Sequence, residues 1–411
     1  MAQKFYNFPG PKKGKGRMVI KRPASMKTTS WKKIPYVRGR RDVPARGVRR
    51  EQTHWQRTLP EILKASDTKI VNMLIEDKLL PNWSGKCCPK CNKGTLSSLK
   101  LHSNETKPKF RCSRKECQQR VHPHYLHPLF QAGRGPEALS LQMQAAVLFL
   151  LLLRVSLVSI HLLLGVNHKV AEKMQKNLEE IRKKHVLQKE KNIIFGASTK
   201  WADVEGDEAT FDKKDISADP ILEKKIKDDR CLLWEQWSGL VQRGRPQTLV
   251  LSRLRPSLTV RQAPGPGPIT KLDWAPLGKK WLENRQVIFH TDSAKAYKLK
   301  LQGVVHDSVV HQKKRIKKQG KWVWTKPSFV KVKTHNLPGG KKVTVKCGTQ
   351  HIDRCWKFIK ERLAKGPNVR AGSATICRKI RSAQYEYWHR GDDMWVCTGQ
   401  LVAPYMSDIV D

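Results

Sequence analysis

Four cysteines in two close pairs, Cys88-Pro-Lys-Cys91 and Cys112 with Cys117, constrain this chain more than any other feature, with a 20-residue insert between the pairs. Two thiolate pairs joined by a hairpin-length insert supply the four tetrahedral ligands of a structural Zn²⁺. A segment this short, with little apolar content, has few other means of ordering itself. The spacing leaves alternatives open: Cys87 in place of Cys88, and His122, His124 or His127 in the second knuckle. The other five cysteines, Cys231, Cys347, Cys355, Cys377 and Cys397, are scattered. Together these point to a metal knuckle in a reducing compartment and away from a disulfide framework.

Charge narrows the partner. The chain carries 81 Lys+Arg against 35 Asp+Glu, a formal charge of +46 over 411 residues. Such an excess raises self-repulsion unless a polyanion is bound, so nucleic acid is the expected partner. Two stretches hold much of it: residues 1–60 contain 17 Lys/Arg and two acids, and residues 311–346 contain 12 Lys/Arg and none. The first reads as a disordered basic arm over 1–57, since it shows no apolar periodicity. A long basic arm favours the nucleus of a eukaryotic cell; in a bacterial host the setting is the cytoplasm.

After the arm, 58–84 reads as a short helical segment and 85–130 as the zinc ribbon. The most apolar stretch, Ala145 to Gly165, is broken by Arg154, Ser156, Ser159 and His161. A membrane span needs about 20 apolar residues, so this stretch reads as packed helices and no membrane is expected. Gln142 to Arg154, Leu157 to Leu164 and His168 to His185, with short breaks, have the layout of a helix-turn-helix over 138–190. Asn167 is placed to cap the third helix, Val170, Met174, Leu178 and Ile181 form its buried stripe, and Lys169 and Lys173 face outward toward DNA. A plain three-helix packing unit satisfies the same spacing.

Beyond 198 the texture becomes strand-rich, with expected strands at Ala202–Phe211, Leu232–Gln242, Thr248–Leu254, Gln286–Thr291 and Gly303–Val310. Helices are expected near Leu272–Asn284 and Ile352–Lys365, Trp388 and Trp395 are expected to close the core, and 401–411 reads as a tail. Ten of the 35 acids fall within residues 203–229. In VEGDEATF the strand period puts Asp207 and Glu208 on opposite faces. Asp292 ends the strand VIFHTD and Asp353 begins a helix. Each has a plain role: a solvated strand residue for Asp207, a helix cap for Asp292, an i,i+4 pair with Lys357 for Asp353. Carboxylates from separate elements are also what a two-metal site requires.

The blocks VEGDEATF, FHTDSAKAY, VVHQKK and CGTQHIDRCWKFIKERL, taken in this order behind a cysteine ribbon, resemble the ISXO2-like (IS1595-type) DDE transposases over roughly residues 85–400. The resemblance implies an α/β, RNase H-like mixed-sheet core over 198–400. It also implies Asp207, Asp292 and Asp353 as ligands of catalytic Mg²⁺ or Mn²⁺, with His311 near the site. The implied activity is metal-dependent cleavage of a DNA strand and transfer of its 3′-hydroxyl, with a homo-oligomer on DNA ends as an open reading. The rival expectation is a domesticated or inactive copy that binds DNA without cutting it. The chain departs from the family pattern in three places: Asp353 where Glu is usual, Asp212 and Lys213 where glycines are frequent, and Cys355 where an aromatic is common.

Finally, Gln312 to Lys326 (QKKRIKKQGKWVWTK) offers Lys313, Lys314, Arg315, Lys317 and Lys318 to phosphates. The alternation of Trp322 and Trp324 with basic residues reads first as a half-buried strand with core-facing tryptophans. The other reading is a face that stacks on bases.

Overall fold

The computed structural model describes residues 33–38, 55–101, 107–131, 139–196, 201–311, 313–325, 327–363, 366 and 369–410. The rest of the expected arm lies outside the described residues. Helix α1 (Leu59–Lys64) starts with a Thr58–Glu61 capping box, and α2 (Asp67–Glu76) with the Ser66 hydroxyl accepting the Lys69 N–H. Strands β1 (Phe110–Arg111) and β2 (Arg120–Val121) pair antiparallel in the cysteine segment, over a small core of Trp83, Leu96, Phe110 and Val121.

Helices α3 (Leu141–Leu152), α4 (Leu157–Leu164) and α5 (His168–Glu190) follow. The apolar run is α3, buried almost all round within the helical core, and no described helix is long and apolar enough to cross a membrane. Gly165 takes a left-handed φ of 62° to end α4, and Asn167 accepts the Lys169 N–H to start α5. The stripe of α5 is as its spacing requires: Met174, Leu178 and Ile181 are buried, Val170 is half-buried, and His168, Lys169, Lys173 and Lys176 are exposed.

The second unit is built on β3 (Ala202–Asp215), β4 (Leu232–Gln242), β5 (Arg245–Arg253), the short β6 (Ser257–Thr259), α6 (Lys271–Leu282), β7 (Val287–Thr291) and β8 (Val304–Ser308). Its sheet runs β5-β4-β3-β7-β8, with β6 also pairing to β4. Strands β3, β4 and β5 are antiparallel, while β7 and β8 add parallel beside β3, so the fold is mixed α/β with a mixed sheet. Next come two antiparallel hairpins, β9 (Lys314–Lys318) with β10 (Lys321–Thr325), and β11 (Lys331–Asn336) with β12 (Lys342–Cys347). Helices α7 (Gln350–Lys360), α8 (Ala374–Trp388) and α9 (Met394–Val410) close the chain.

The period-two alternation of the strands sorts the two faces of the sheet. Val204, Leu240, Val250 and Phe289 pack under Trp274 and Trp281 of α6. Ala209, Trp237, Val241 and Leu251 pack under Ile352, Trp356 and Ile359 of α7 and Ile376 and Ile380 of α8. At about 25 cal/mol per Å² of apolar surface, these two buried layers are the main force holding helices to sheet.

Four expectations need correction. Of the expected tail 401–411, residues 401–410 belong to α9, with Leu401, Val402 and Met406 buried in the core of α1–α5, a contact between chain ends that no local pattern encodes; Asp411 lies outside the described residues. Trp395 joins that helical core, its indole N–H donating to Asp77 at 2.8 Å, and so does not close the sheet unit. Part of the arm is ordered, because residues 33–38 dock onto the sheet unit through Tyr36 and Arg38. Trp322 and Trp324 are 57 % and 63 % exposed, because the β9–β10 hairpin is a two-stranded sheet of its own. In addition, α5 continues to Glu190, where its far half meets α8 through Glu179–Arg378 (3.0 Å) and Arg182–Glu386 (2.7 Å).

Candidate metal centres

The cysteine cluster is assembled by short-range pairing. Cys88 and Cys112 are buried, Cys87 is exposed, and the ligand atoms of Cys88, Cys91, Cys112 and Cys117 all lie within 4.8 Å of one another. Two sulfur pairs stand 3.9 Å (Cys88–Cys117) and 3.7 Å (Cys91–Cys112) apart. A tetrahedral zinc with Zn–S bonds of about 2.3 Å has sulfur–sulfur edges of about 3.8 Å, so the set fits that ion. Gly94 is required here, since a Cβ would lie 2.4 Å from the Cys112 sulfur. Backbone N–H bonds from Gly94 and Lys93 lower the Cys91 thiol to about 6, while burial pushes Cys112 up to about 12. The histidine alternatives lie outside the group: His127 Nδ1 instead accepts the N–H groups of Leu129 and Phe130.

Asp207 of β3 sits on the face that α7 covers. Asp207 accepts a bond from Trp356 Nε1 at 3.2 Å. Glu208 points to the other face, toward the Ile269 N–H (3.2 Å) and the Tyr297 hydroxyl (2.5 Å). Strand β7 runs parallel to β3 with His290 opposite Glu205, and this register carries Asp292, just past the strand end, alongside Asp207. Asp353 lies in the first turn of α7, where the Thr349 hydroxyl reaches it at 3.3 Å. Of the plain roles, Asp292 keeps a partial one, accepting the Ala294 N–H at 2.9 Å. Lys357 pairs with Glu361 (3.9 Å) and not with Asp353.

These three carboxylates act on one another. Asp207 is pushed well above the ordinary carboxylate range by burial first, then by Glu208, Asp353 and Asp292. Asp353 is raised by loss of solvent, Glu205 and Asp292, against the Thr349 hydroxyl and His311. They form an open set: among the described residues, the groups whose ligand atoms all lie within 4.8 Å of one another do not include them. His311 packs against Phe329 with ring centroids 5.1 Å apart, and its buried Nε2 has no hydrogen-bond partner.

Glu205, which is not among the residues expected from sequence, holds this arrangement. It is fully buried and paired with Arg243 at 2.6 Å, and its second oxygen accepts the backbone N–H groups of His351 (2.6 Å) and Ile352 (3.1 Å). Helix α7 has no side-chain cap from Thr349, so a carboxylate two residues before Asp207 caps the helix that carries Asp353. Tyr36 of the arm donates to Glu205 at 2.7 Å and accepts the Gln350 N–H at 3.2 Å. Gly239, opposite Asp207 in the register, lets α7 approach: a Cβ there would lie 2.5 Å from the Trp356 ring. The strand period of two puts Glu205 on the Asp207 face, and that is the available signal.

Also unforeseen is a buried row beside it. Each ring nitrogen of His290 faces a carboxylate, Asp203 at 3.0 Å and Asp307 at 2.9 Å, and His335 reaches Asp307 at 2.9 Å. Arg38 forks onto Asp203 at 2.7 and 3.0 Å. Burial would raise both acids, but hydrogen bonds and charge from these partners hold both below the carboxylate range.

Of the residues expected to face DNA, Lys169 and Lys173 on α5 and Lys313, Arg315 and Lys317 at the β9–β10 hairpin are exposed. The backbones of Lys314 and Lys318 lie in β9, and their side chains fall outside the described residues. No family model, curated protein or solved structure matches this chain.

Proposed function

We propose that the chain is a DNA-binding, transposase-like nuclease: a zinc ribbon and a helical unit bind DNA, and an RNase H-like core cuts a strand and transfers its 3′-hydroxyl. One observation carries this reading. In a chain with 81 Lys+Arg, three aspartates from a strand, a strand end and a helix are gathered with no Lys or Arg salt-bridged to them among the described residues. Clustered carboxylates repel, and a divalent cation relieves the repulsion. The sheet order supports the same reading, since three antiparallel strands with two parallel strands added beside the first is the order expected of an RNase H-like core.

All three donors offer hard carboxylate oxygens, which suit Mg²⁺ or Mn²⁺. Bound there, such ions would supply the charge that activates a nucleophile and stabilises a leaving oxygen at phosphorus. The protein's own residues do the positioning. Glu205 fixes the start of α7, Trp356 orients the Asp207 carboxylate, and the close approach permitted by Gly239 offsets the missing methylene of Asp353 relative to Glu. His311, with a free buried Nε2 at the base of the hairpin, is placed to meet a phosphate oxygen. The exposed lysines of α5 hold the DNA backbone.

The experiment is cleavage of labelled duplex DNA by the purified protein in Mg²⁺ and Mn²⁺, beside Asp292→Asn. Metal-dependent nicking by the native protein and none by the variant is expected. Binding with no cleavage under either metal leaves the DNA-binding rival.

A further inference from the structure

The β9–β10 hairpin has both faces in solvent. Its strands join through Gln319 and Gly320 with φ of 50° and 80°, the two left-handed residues of a tight two-residue turn. The register places Trp322 opposite Lys317 and Trp324 opposite Arg315. Opposed residues of an antiparallel pair share a face, so one face carries a two-by-two pattern of Arg315, Lys317, Trp322 and Trp324. The Arg315 guanidinium sits over the Trp322 ring at 5.3 Å, and Ile316 and Val323, opposite each other on the second face, are 43 % and 46 % exposed.

Four large apolar side chains left in water need a partner. Residues 311–346 contain 12 Lys/Arg and no acid, so that partner is anionic. Alternating tryptophan and cation at strand spacing matches a strand whose bases are free: successive rings take bases while Arg and Lys take the phosphates between them. A paired duplex hides its base faces and offers the hairpin phosphates alone.

The base of the hairpin lies near Asp353: the Phe329 carbonyl would stand 2.6 Å from a Cβ at Gly348, next to the Thr349 whose hydroxyl reaches Asp353 at 3.3 Å. The hairpin's stem closes where the Ser328 N–H meets the Val310 carbonyl at 3.2 Å and Phe329 packs on His311. His311 acts electrostatically on Asp353. From that base, five-residue strands extend about 17 Å at about 3.3 Å per residue.

We infer that the Arg315/Lys317/Trp322/Trp324 face of the β9–β10 hairpin binds an unpaired nucleic-acid strand by stacking its bases, and so holds single-stranded DNA next to the aspartate cluster. The inference rests on the DNA-binding part of the proposed function and not on cleavage. Its test therefore uses the full chain with zinc retained and no added Mg²⁺ or Mn²⁺.

Fluorescence anisotropy would compare a labelled 20-nucleotide single strand, the same strand in a duplex, and an RNA strand of the same sequence, for the native protein and for Trp322→Ala, Trp324→Ala and the phenylalanine variants. Each alanine variant should weaken single-strand binding by roughly 5- to 150-fold, the size of one base stack, and should leave duplex binding within about twofold. Phenylalanine should restore most of the affinity, and unchanged thermal melting would show that the exposed positions leave the fold alone. The tighter of the DNA and RNA strands identifies the source. Equal losses on single strand and duplex would overturn the inference while leaving the DNA-binding reading intact, and no binding to any strand would overturn both. Two further results would also overturn it: tryptophan-dependent binding to phosphatidylserine vesicles with single-strand affinity unmoved, which would make the face a membrane contact, or tryptophan-dependent self-association in sedimentation, which would give it to a second copy of the chain.

Discussion

Asp203 and Glu205 lie on the same face of the same strand as Asp207, four and two residues away, yet their surroundings are opposite. Arg38 and His290 serve Asp203, and Arg243, Tyr36 and two backbone N–H groups serve Glu205. Asp207 receives one indole N–H and faces other carboxylates. Hydrogen bonds and charge hold Asp203 below the carboxylate range, and burial with its acidic neighbours lifts Asp207 above it. The start of the strand is thus satisfied by partners within the protein, and Asp207, further along it, is not. The cysteine ribbon adds a third case, a ligand set that is already closed.

The largest effect should come from opening the closed set. Metal analysis should return about one zinc per chain, and Cys112→Ser should release it and unfold the β1–β2 segment, since structural zinc contributes on the order of 10 kcal/mol to such units. Full zinc occupancy in that variant would show the ligand set to be wrong. Next, breaking the satisfied start of β3 should be severe: Arg243→Met leaves Glu205 buried without its partner and should cost about 3 to 5 kcal/mol in chemical denaturation. A loss below about 1 kcal/mol would mean that Glu205 is solvated and does not fix α7.

At Asp207 the sign reverses. Asp207→Asn keeps an oxygen for Trp356 and removes the repulsion, so in metal-free buffer it should stabilise the chain by about 1.4 kcal/mol for each pKa unit by which Asp207 is raised. A carboxyl held above its unfolded value favours folding while protonated, and that contribution is lost as pH rises through its folded pKa. The gap between variant and native protein should therefore widen as pH rises above the ordinary carboxylate range and close on adding Mg²⁺. Asp203 and Asp307, held low, behave oppositely, their contribution being lost as pH falls below the ordinary range. The smallest effect is expected on α5, where Lys169→Ala with Lys173→Ala should change stability by about 0.5 kcal/mol or less while flattening the salt dependence of DNA affinity by about one unit of slope for each phosphate that is no longer neutralised.

How much is legible in the sequence follows the range of the interactions. The cysteine ligands can be read because both pairs are local and thiolate chemistry admits few alternatives. The faces of β3 can be read because strand period is two, and Asn167 because caps are local. What places Asp353, however, is a helix cap supplied from 146 positions away in sequence, by Glu205 to the His351 N–H. Such a bond leaves no periodic trace. Tyr36 and Arg38 sit in a run without apolar pattern, so their docking is invisible there, and α9 returns to the first helices across the whole chain. The alternation around Trp322 identifies a strand but does not say whether a second layer covers it. In a detached hairpin none does.

Equilibrium binding of Mn²⁺ to the zinc-loaded protein, followed by electron paramagnetic resonance at pH 8, tests the central claim most directly. The native chain should bind one or two ions, and Asp207→Asn and Asp353→Asn should each abolish or strongly weaken that binding while the zinc content stays fixed. Native protein that binds no Mn²⁺ at millimolar concentration, or binding that both variants leave unchanged, would contradict the claim that the three aspartates form a divalent-metal site.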